Sequence, residues 1–513
     1  MPAVSDGARG HGDARGHGDA RGHGDARGHG DARGHGGGPG PPADPGLPAG
    51  WGVCLDRRTL RPRRKVLIGG YPLRALRLTE GGARLVDTWA AGTVVPSGAG
   101  ARRLGRLLTD RGVAQPLPPA IGDDPGPTVT AVIPVRDRAD GLAITLTGMA
   151  DDLGVVVVDD GSGDGAGVGA VTDLHRGPTT VVRHRRPRGP GAARNTGWRE
   201  AATDVVAFVD ADVELPPLWL ARLLPHFSDP TVAAVAPRVT AVPGAGSPAW
   251  LNAYEAARSP LDLGPHPAPV RPRSQVPYVP TTALLVRRCA LVELGGFDES
   301  LRTGEDVDLI WRLAAAGWRV RYEPAVTVGH PTRDRLGPWV AQRVGYGRSA
   351  APLHARHGSA VAPLIISPES AAAALAGLFG HPVIAVAVSA SAVTMSAARL
   401  DRGLPRAALT RLAAEGQGRA MGSMAETARR VWWPLAAATA ITCRRSRPAL
   451  TAAFTLPPLV AWVRDRPALG PLRWSLLSVL DDLAYGAGVW AGVARTGRVG
   501  ALVPVLRARL RPG

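Results

Sequence analysis

The stretch Val205-Val206-Ala207-Phe208-Val209-Asp210-Ala211-Asp212-Val213-Glu214 is an apolar run that ends in two carboxylates one residue apart. Such a run predicts a buried strand, with Asp210 and Asp212 at its carboxyl end, where open α/β sheets bind ligands. Two carboxylates there suit a hard divalent cation, which commonly bridges protein carboxylates to phosphates. The alternative is a polar exit from the strand in which both acids are only solvated.

Apolar strands and helical segments alternate upstream of this stretch. Strands are predicted at residues 129–135, 154–158 and 180–183, and this alternation predicts a mostly parallel sheet covered on both faces. The second strand ends in Asp159-Asp160-Gly161-Ser162. A tight turn of this kind can place a carboxylate against a nucleobase or ribose, although such turns also merely cap helices.

A glycine-rich segment, residues 187–197, leads into a helix that carries Arg194 on its first turns. Backbone N–H groups and a guanidinium at such a position suit an anion. The segment lacks both the P-loop pattern and the Gly-x-Gly-x-x-Gly dinucleotide pattern. An ATPase and an NAD-dependent enzyme are therefore disfavoured.

Four ordered motifs resemble those of the family-two glycosyltransferases of the GT-A fold. They are Val132-Ile133-Pro134-Val135, Val158-Asp159-Asp160-Gly161-Ser162, Gly191-Ala192-Ala193-Arg194-Asn195 and Asp210-Ala211-Asp212. The resemblance implies a Rossmann-like mixed sheet and a donor site for a nucleoside-diphosphate sugar, formed by Pro134, Asp137, Asp160, Arg194 and Asp210. It also implies that Asp212, assisted by Asp210, holds Mg²⁺ or Mn²⁺ on the diphosphate.

The same resemblance implies a further carboxylate, and Asp306 is the predicted catalytic base. One base suffices for a single inverting displacement of the diphosphate by an acceptor hydroxyl. Glu305 and Trp311 are predicted to support the helix that carries the base, although Glu305 also fits an acid favoured by the helix dipole. His330 is implied as a metal or diphosphate ligand, whereas a lone histidine is more often structural.

Residues 51–350 resemble, more narrowly, the mycofactocin-system glycosyltransferases, through Leu67–Arg74 and Tyr254–Gly264. This resemblance implies transfer of glucose from UDP-glucose to premycofactocin, a redox cofactor made from a ribosomal peptide, with short β-linked glucose chains as product. The absence of a Gln-x-x-Arg-Trp sequence disfavours a processive polysaccharide synthase. The alternatives are a nucleotide-sugar-binding regulator and a transferase that acts on a polyprenyl phosphate lipid.

Composition divides the chain into four predicted segments. Residues 1–50 contain a repeated Ala-Arg-Gly-His-Gly-Asp hexapeptide and predict a disordered low-complexity segment. Residues 51–116 predict a small winged-helix-like module, which the resemblance likens to PqqD-like peptide-recognition domains. A proline-rich linker leads to the GT-A domain at 127–345, and 346–513 predict an apolar helical region.

The net charge of +18 comes almost entirely from arginine, since Lys65 is the only lysine. That bias is typical of a GC-rich genome, so we expect no nucleic-acid partner. Residues 370–398 lack charge and could cross a bilayer, although His381-Pro382 interrupts them, and weaker apolar runs follow between arginines. These features predict association with the cell membrane and a catalytic domain on the cytoplasmic side. The alternative is a cytoplasmic helical bundle that dimerises through its apolar faces.

Overall fold

The computed structural model describes residues 40–120, 126–173, 175–399 and 406–507. Most of the segment predicted to be a disordered repeat therefore lies outside the described residues. Residues 40–50 are described, and they pack against later parts of the chain. Leu47 is fully buried, and Asp44 forms ion pairs with Arg106 (3.1 Å) and Arg319 (2.6 Å). One leucine in a Gly/Pro run is too weak a signal to reveal this packing.

The amino-terminal part contains two helices and two small antiparallel sheets, with strand orders β1-β5 and β2-β3-β4. The N-cap Thr79 accepts a hydrogen bond from the Gly82 N–H (3.1 Å), which fixes the start of α1. The apolar face of α1 then packs into a core with Trp51 and Leu108. The elements are β1 (Gly52–Leu55), β2 (Leu60–Arg63), β3 (Val66–Gly69), β4 (Arg74–Arg77), α1 (Glu80–Ala90), α2 (Ala99–Asp110) and β5 (Ala114–Leu117).

The central part is built on an eight-stranded mixed sheet with the order β11-β13-β10-β12-β9-β6-β7-β8. Its elements are β6 (Val129–Val135), α3 (Ala139–Thr147), β7 (Gly154–Asp159), α4 (Gly165–Thr172), β8 (Thr179–Arg183), α5 (Pro190–Glu200), β9 (Val205–Val209), α6 (Trp219–Leu223), β10 (Val232–Val242), α7 (Ala249–Arg258), β11 (Ala268–Pro269), β12 (Ala283–Arg287), α8 (Arg288–Leu294), α9 (Glu305–Ala315) and β13 (Arg319–Pro331). The strands predicted at 129–135, 154–158, 180–183 and 205–209 are confirmed.

Strand β9 is buried on both faces. Val206 and Phe208 pack into the core on one side of the sheet, whereas Val205, Ala207 and Val209 pack into the core on the other side. Successive side chains of a strand point to opposite faces, so a strand covered twice must be apolar throughout. This is why the sequence shows a continuous apolar run and no alternation.

The parallel strands bring their carboxyl ends to one edge of the sheet. Strands β7 and β9 flank β6 in parallel, while β12 pairs antiparallel with both β9 and β10. The turn after β7 and the Asp210–Asp212 loop after β9 therefore emerge on either side of β6. This edge is where the predicted donor site would lie.

Helices dominate the carboxyl-terminal part, which follows the long strand β13. The elements are α10 (Leu336–Arg348), α11 (Ala350–His357), β14 (Ile365–Ile366), α12 (Pro368–Leu378), α13 (Pro382–Arg399), α14 (Arg406–Arg430), α15 (Trp433–Thr442), α16 (Arg447–Asp465), α17 (Pro471–Thr496) and β15 (Val505–Leu506).

The expectation that residues 370–398 form the best membrane segment is wrong. The chain breaks between α12 and α13, with Gly380 at a φ of +80° and Pro382 opening the second helix. Among the described residues one helix, α17, is long and apolar enough to cross a membrane, and 50% of its most apolar window is buried within the protein.

Candidate active site

Thr145 of α3 fixes the loop that follows β9. Its hydroxyl accepts a hydrogen bond from the Val213 N–H (2.9 Å) and donates one to the Asp210 carbonyl oxygen (3.2 Å). Thr145 is fully buried, so the loop backbone is anchored in the protein interior. Sequence analysis missed this residue, because a single threonine in a helix gives no signal of a contact with a distant loop.

Backbone pairing brings His330 to the same loop. Glu214 and Gly329 exchange two N–H···O=C hydrogen bonds, both 2.9 Å long. The next residue along β13, His330, consequently places its Nε2 atom 3.7 Å from Asp212 Oδ1. The structure therefore brings together Asp212 and His330, two residues that the resemblance implies as metal ligands, although they are far apart in the sequence.

The donor set suits a divalent cation that arrives with a diphosphate. Among the described residues, no group of three or more His, Cys, Asp and Glu side chains is placed to hold a metal ion. Asp212 and His330 face each other, whereas Asp210 points to Arg194 and Arg138 pairs with the other oxygen of Asp212. Mg²⁺ is commonly held by one or two carboxylates together with substrate phosphates and water, so these residues fit such an ion.

Arg194 joins two of the predicted carboxylates. Its guanidinium is buried and donates to Asp210 Oδ1 (2.8 Å) and to Glu305 Oε1 (2.9 Å), and it lies 5.6 Å from the centre of the Phe297 ring. Both hydrogen-bonded nitrogens are thus directed at carboxylates of the protein. Arg194 positions Asp210 and Glu305, a role different from the direct anion contact that the sequence predicts.

Asp306 lies at the start of α9, one residue after Glu305. Gly304 precedes the helix with a φ of +83°, a backbone conformation that favours glycine. The Asp306 side chain is half-buried, and its Oδ1 atom accepts a hydrogen bond from the Val307 N–H (2.8 Å). Burial raises the pKa of Asp306 to about 7, and the charge of Glu305 acts in the same direction. A carboxyl group with this pKa can exchange a proton near neutral pH.

Asp160 holds the loop that precedes α5. One carboxylate oxygen lies 2.7 Å from His184 Nδ1 and accepts from the Arg188 N–H (2.8 Å), while the other accepts from the Gly189 N–H (2.8 Å). Asp160 is almost fully buried. Its contacts organise the glycine-rich segment that sequence analysis had singled out as an anion site.

Pro134 and Asp137 lie at the end of β6 and just beyond it. Asp137 has a φ of +51°, and its exposed carboxylate accepts a hydrogen bond from the Gly163 N–H (2.8 Å). Its own N–H donates to the Ser162 hydroxyl (2.9 Å). These bonds tie the loop after β6 to the loop after β7. Both loops lie at the edge of the sheet where the nucleotide site is predicted.

A cavity of about 630 Å³ is lined by most of the predicted site residues, but Pro134, Asp137, Asp160 and Asp212 are not among them. Its lining includes Arg194, Asp210, Asp306, His330 and Trp311. The indole N–H of Trp311 donates to the Pro277 carbonyl (2.7 Å), which ties α9 to the segment before β12. The carboxyl-terminal helices also line this cavity, and sequence analysis did not anticipate their contribution.

A second cavity, of about 730 Å³, lies between the amino-terminal part, β11 and α14. Its lining includes Arg58, Arg111, Arg271 and Arg411 and none of the predicted site residues. Although it is the larger cavity, its lining acids, Asp56 and Glu415, are not among the predicted site residues. The cavity with Asp306 is therefore the candidate active site.

Residues 130–290 match the model of a family described as Glycosyl transferase family 2. Over 478 residues the chain is 40% identical to the Pre-mycofactocin glycosyltransferase of Mycobacterium tuberculosis (strain CDC 1551 / Oshkosh), a match that covers 89% of this chain and 98% of that protein. It is 28% identical over 252 residues to an N-acetylglucosaminyltransferase of Mesorhizobium japonicum, covering 45% of this chain and 59% of that protein.

Among solved structures, the mannosyltransferase PcManGT from Pyrobaculum calidifontis, in complex with GDP-Man and Mn²⁺, is 22% identical. That match covers 59% of this chain and 87% of the solved chain, with a TM-score of 0.36, which supports no argument about this chain. The family match and the mixed sheet confirm the predicted GT-A catalytic fold. Because the alignment with the M. tuberculosis protein spans nearly the whole of both chains, this chain belongs to the pre-mycofactocin glycosyltransferase family.

Proposed function

We propose that this protein transfers glucose from UDP-glucose to premycofactocin with inversion at the anomeric carbon, and that repeated transfer builds a short β-linked oligoglucoside. The observation that carries the proposal is one cavity lined by Asp210, Asp306 and His330, with Asp212 adjacent to His330, in a member of this family. The name of the M. tuberculosis relative supports the acceptor. The donor sugar rests on the resemblance of the motifs.

Asp306 serves as the catalytic base in this proposal. The acceptor hydroxyl oxygen forms a bond to the anomeric carbon, and the bond from that carbon to the diphosphate oxygen breaks with its electron pair. Asp306 takes the hydroxyl proton as the new bond forms. A single displacement that uses one carboxylate inverts the configuration, and this accounts for the predicted β-linkage.

Asp212 and His330, with Asp210 beside them, would hold Mg²⁺ or Mn²⁺. When bound, such an ion supplies positive charge to the diphosphate oxygens of the leaving group. Arg194 holds Asp210 toward the cavity and neutralises Glu305 next to the base. Neutralising Glu305 weakens its repulsion of an ionised Asp306, so Arg194 helps the base to lose its proton.

Mass spectrometry of the reaction products tests this function. Purified protein is incubated with Mn²⁺ or Mg²⁺, premycofactocin and a panel of sugar nucleotides, and we expect hexose increments with UDP-glucose. In Asp306→Asn we expect transfer to fall by about 10²- to 10⁴-fold while donor binding is kept. Absence of a hexose increment with every donor would contradict the proposal, and transfer only to a polyprenyl phosphate would replace the acceptor.

We further propose that the segment at 51–116 is a PqqD-like module that recognises the peptide from which the acceptor derives. The two helices and the three-stranded antiparallel sheet are compatible with this assignment. We also propose the boundaries that composition predicts for the GT-A domain, 127–345, and for the helical region, 346–513. Binding of the precursor peptide to the full chain, measured by fluorescence anisotropy, tests the role of the module.

We also propose that the protein contacts the cytoplasmic side of the cell membrane through exposed apolar side chains of its carboxyl-terminal helices. Val383 of α13 is 81% exposed and Ile441 of α15 is 76% exposed. Flotation with phosphatidylglycerol vesicles tests this contact, and we expect Val383→Ser/Ile441→Ser to float less than the wild type. A wild type that stays with the soluble fraction would favour the cytoplasmic alternative.

A further inference from the structure

Helix α17 carries two adjacent acids in its interior, Asp481 and Asp482, and the protein buries both. Asp482 forms ion pairs with Arg258 (3.1 Å) and Arg430 (2.9 Å) and also with Arg429. A charged side chain inside a bilayer is costly unless it has such partners. Here the partners belong to this chain, so the middle of α17 is packed within the protein.

The second acid links α17 directly to the catalytic region. Asp481 accepts hydrogen bonds from the Tyr254 hydroxyl (3.0 Å) and from Arg343 Nε (3.1 Å). Tyr254 belongs to α7 and Arg343 to α10, and both side chains are almost fully buried. Two helices next to the catalytic sheet therefore hold α17 in one orientation.

Helices α10 and α17 approach each other through their backbones. A Cβ atom at Gly488 would lie 2.1 Å from the Val344 carbonyl oxygen, and one at Gly347 would lie 2.0 Å from the Tyr485 carbonyl oxygen. Glycine is required where two backbones come this close. Tyr485 therefore has a fixed place in the contact between the two helices.

Tyr485 lines the same cavity as Asp306. The guanidinium of Arg430 lies 4.0 Å from the centre of the Tyr485 ring, which holds the ring by a cation–π contact. Tyr278 and Tyr346 also line this cavity. Burial raises the pKa of Tyr278, and the charge of Asp306 is the next largest cause, so this hydroxyl lies within the field of the base.

We propose that Tyr278, Tyr346 and Tyr485 form the acceptor subsite, that this subsite takes a ring-bearing acceptor, and that α17 is a wall of the active site. Aromatic side chains offer flat apolar faces together with a polar edge, which suits a ring that carries a hydroxyl group. These tyrosines line the same cavity as the base and do not belong to the motifs predicted for the donor. The inference rests on the proposed function and specifies which residues select the acceptor.

Steady-state kinetics of Tyr485→Ala and Tyr485→Phe test the subsite. We expect Tyr485→Ala to raise the KM for premycofactocin about tenfold, because the ring face is lost, and Tyr485→Phe to stay within about twofold of the wild type. The KM for UDP-glucose should stay at the wild-type value in both variants, because Tyr485 does not belong to the motifs predicted for the donor. Leu476→Ala is the matched control, since Leu476 lies on the same helix, is exposed and does not line the cavity.

The outcomes separate this inference from the proposed function. If the wild type transfers hexose and Tyr485→Ala keeps the wild-type KM for premycofactocin, the subsite is wrong and the function stands. An equal rise in both KM values would also overturn the subsite, because the variant would then affect the whole site. If the wild type neither transfers to premycofactocin nor binds it in calorimetry with UDP and Mn²⁺, both proposals fail. Thermal unfolding followed by circular dichroism confirms that each variant is folded.

Discussion

Two pairs of aspartates in this protein differ in their surroundings. Asp210 and Asp212 follow β9 at the edge of the sheet, and their side chains are 27% and 13% exposed. Asp481 and Asp482 lie within α17, and their side chains are 7% and 0% exposed. The first pair faces space that a ligand can occupy, whereas arginines and a tyrosine surround the second pair.

The difference lies in how completely each pair is neutralised by the protein. Asp482 alone has three arginine partners, Arg258, Arg429 and Arg430. Asp212 has Arg138, which is half-exposed, and a histidine at 3.7 Å. A buried carboxylate with several cations needs no further partner. A carboxylate whose cationic partner is half-exposed can exchange that partner for a metal ion.

The largest effect should follow from changing Asp210 and Asp212, which we call the open pair. We expect Asp212→Asn to lower the rate of hexose transfer about 10³-fold, because stabilisation of the leaving group is lost. The melting temperature should change little, since the ion pair with Arg138 is partly exposed. The rate is read from product mass, with Asp151→Asn as the control at a highly exposed acid. Retained activity would show that the open pair binds no cation.

Changing Asp481 or Asp482, which we call the closed pair, should lower the stability of the protein. Asp482→Asn leaves the buried Arg429 and the partly buried Arg258 and Arg430 undercompensated and should cost about 3 kcal/mol of unfolding free energy, measured in urea. The matched control is Asp465→Asn, whose exposed pairing with Arg464 should contribute less than about 1 kcal/mol. Equal losses in the two variants would remove the distinction between the closed pair and an ordinary surface pair.

The packing of α17 against α10 can be changed without altering a charged residue. Gly488→Ala places a methyl group 2.1 Å from the Val344 carbonyl oxygen and should destabilise the protein by about 2 kcal/mol. Gly422→Ala, in an exposed part of α14 with nothing within 4 Å, should stabilise by up to about 1 kcal/mol. Thermal unfolding of both variants measures the contrast, and a neutral Gly488→Ala would show that α17 is loosely seated.

The smallest effect concerns pH. Because Asp306 has a raised pKa of about 7, kcat/KM should increase as pH rises through that value, up to about tenfold per unit below it. The charged neighbours that act on Asp306 are Glu305, Arg194 and Asp210. A profile that stays flat between pH 5.5 and 8, at fixed donor and metal concentration, would exclude Asp306 as the group that titrates.

The same titration affects stability in the opposite direction. The folded protein holds the Asp306 proton up to a pH of about 7, whereas the unfolded chain loses it near pH 4. The folded state binds more protons between these values, so the contribution of Asp306 to stability falls as pH rises through this window. In Asp306→Asn this part of the pH dependence should disappear from the unfolding free energy.

The sequence alone was sufficient to predict four of the eight strands of the catalytic sheet, and three of these, β6, β7 and β9, are covered on both faces and must be apolar throughout. Strands β6, β7 and β9 were predicted for this reason, and their acidic ends indicated the donor edge. The antiparallel strand β12 within the sheet was not anticipated, since strand direction leaves no mark in composition.

Contacts between distant parts of the chain were beyond sequence reasoning. The anchoring of the Asp210 loop by Thr145 and the bridging role of Arg194 depend on tertiary structure. The same limit explains the misjudged apolar helices. In the sequence, Asp481 interrupts an apolar helix. In the structure it accepts a hydrogen bond from the Tyr254 hydroxyl, 227 residues earlier. A pair of charges in an apolar helix therefore indicates a partner, but the sequence cannot say which residues supply it.

The short segment around Asp44 has a practical consequence for anyone who wishes to trim this protein. Asp44 and Asp110 both pair with Arg319, the first residue of β13, and Arg106 pairs with the buried Asp229. Removing the glycine-rich repeat up to residue 39 leaves these pairs intact. Producing the catalytic region alone would leave Asp229 and Arg319 without their ion-pair partners on a newly exposed surface. The natural place to shorten the chain thus lies before Asp44, and the two parts are best purified as one piece.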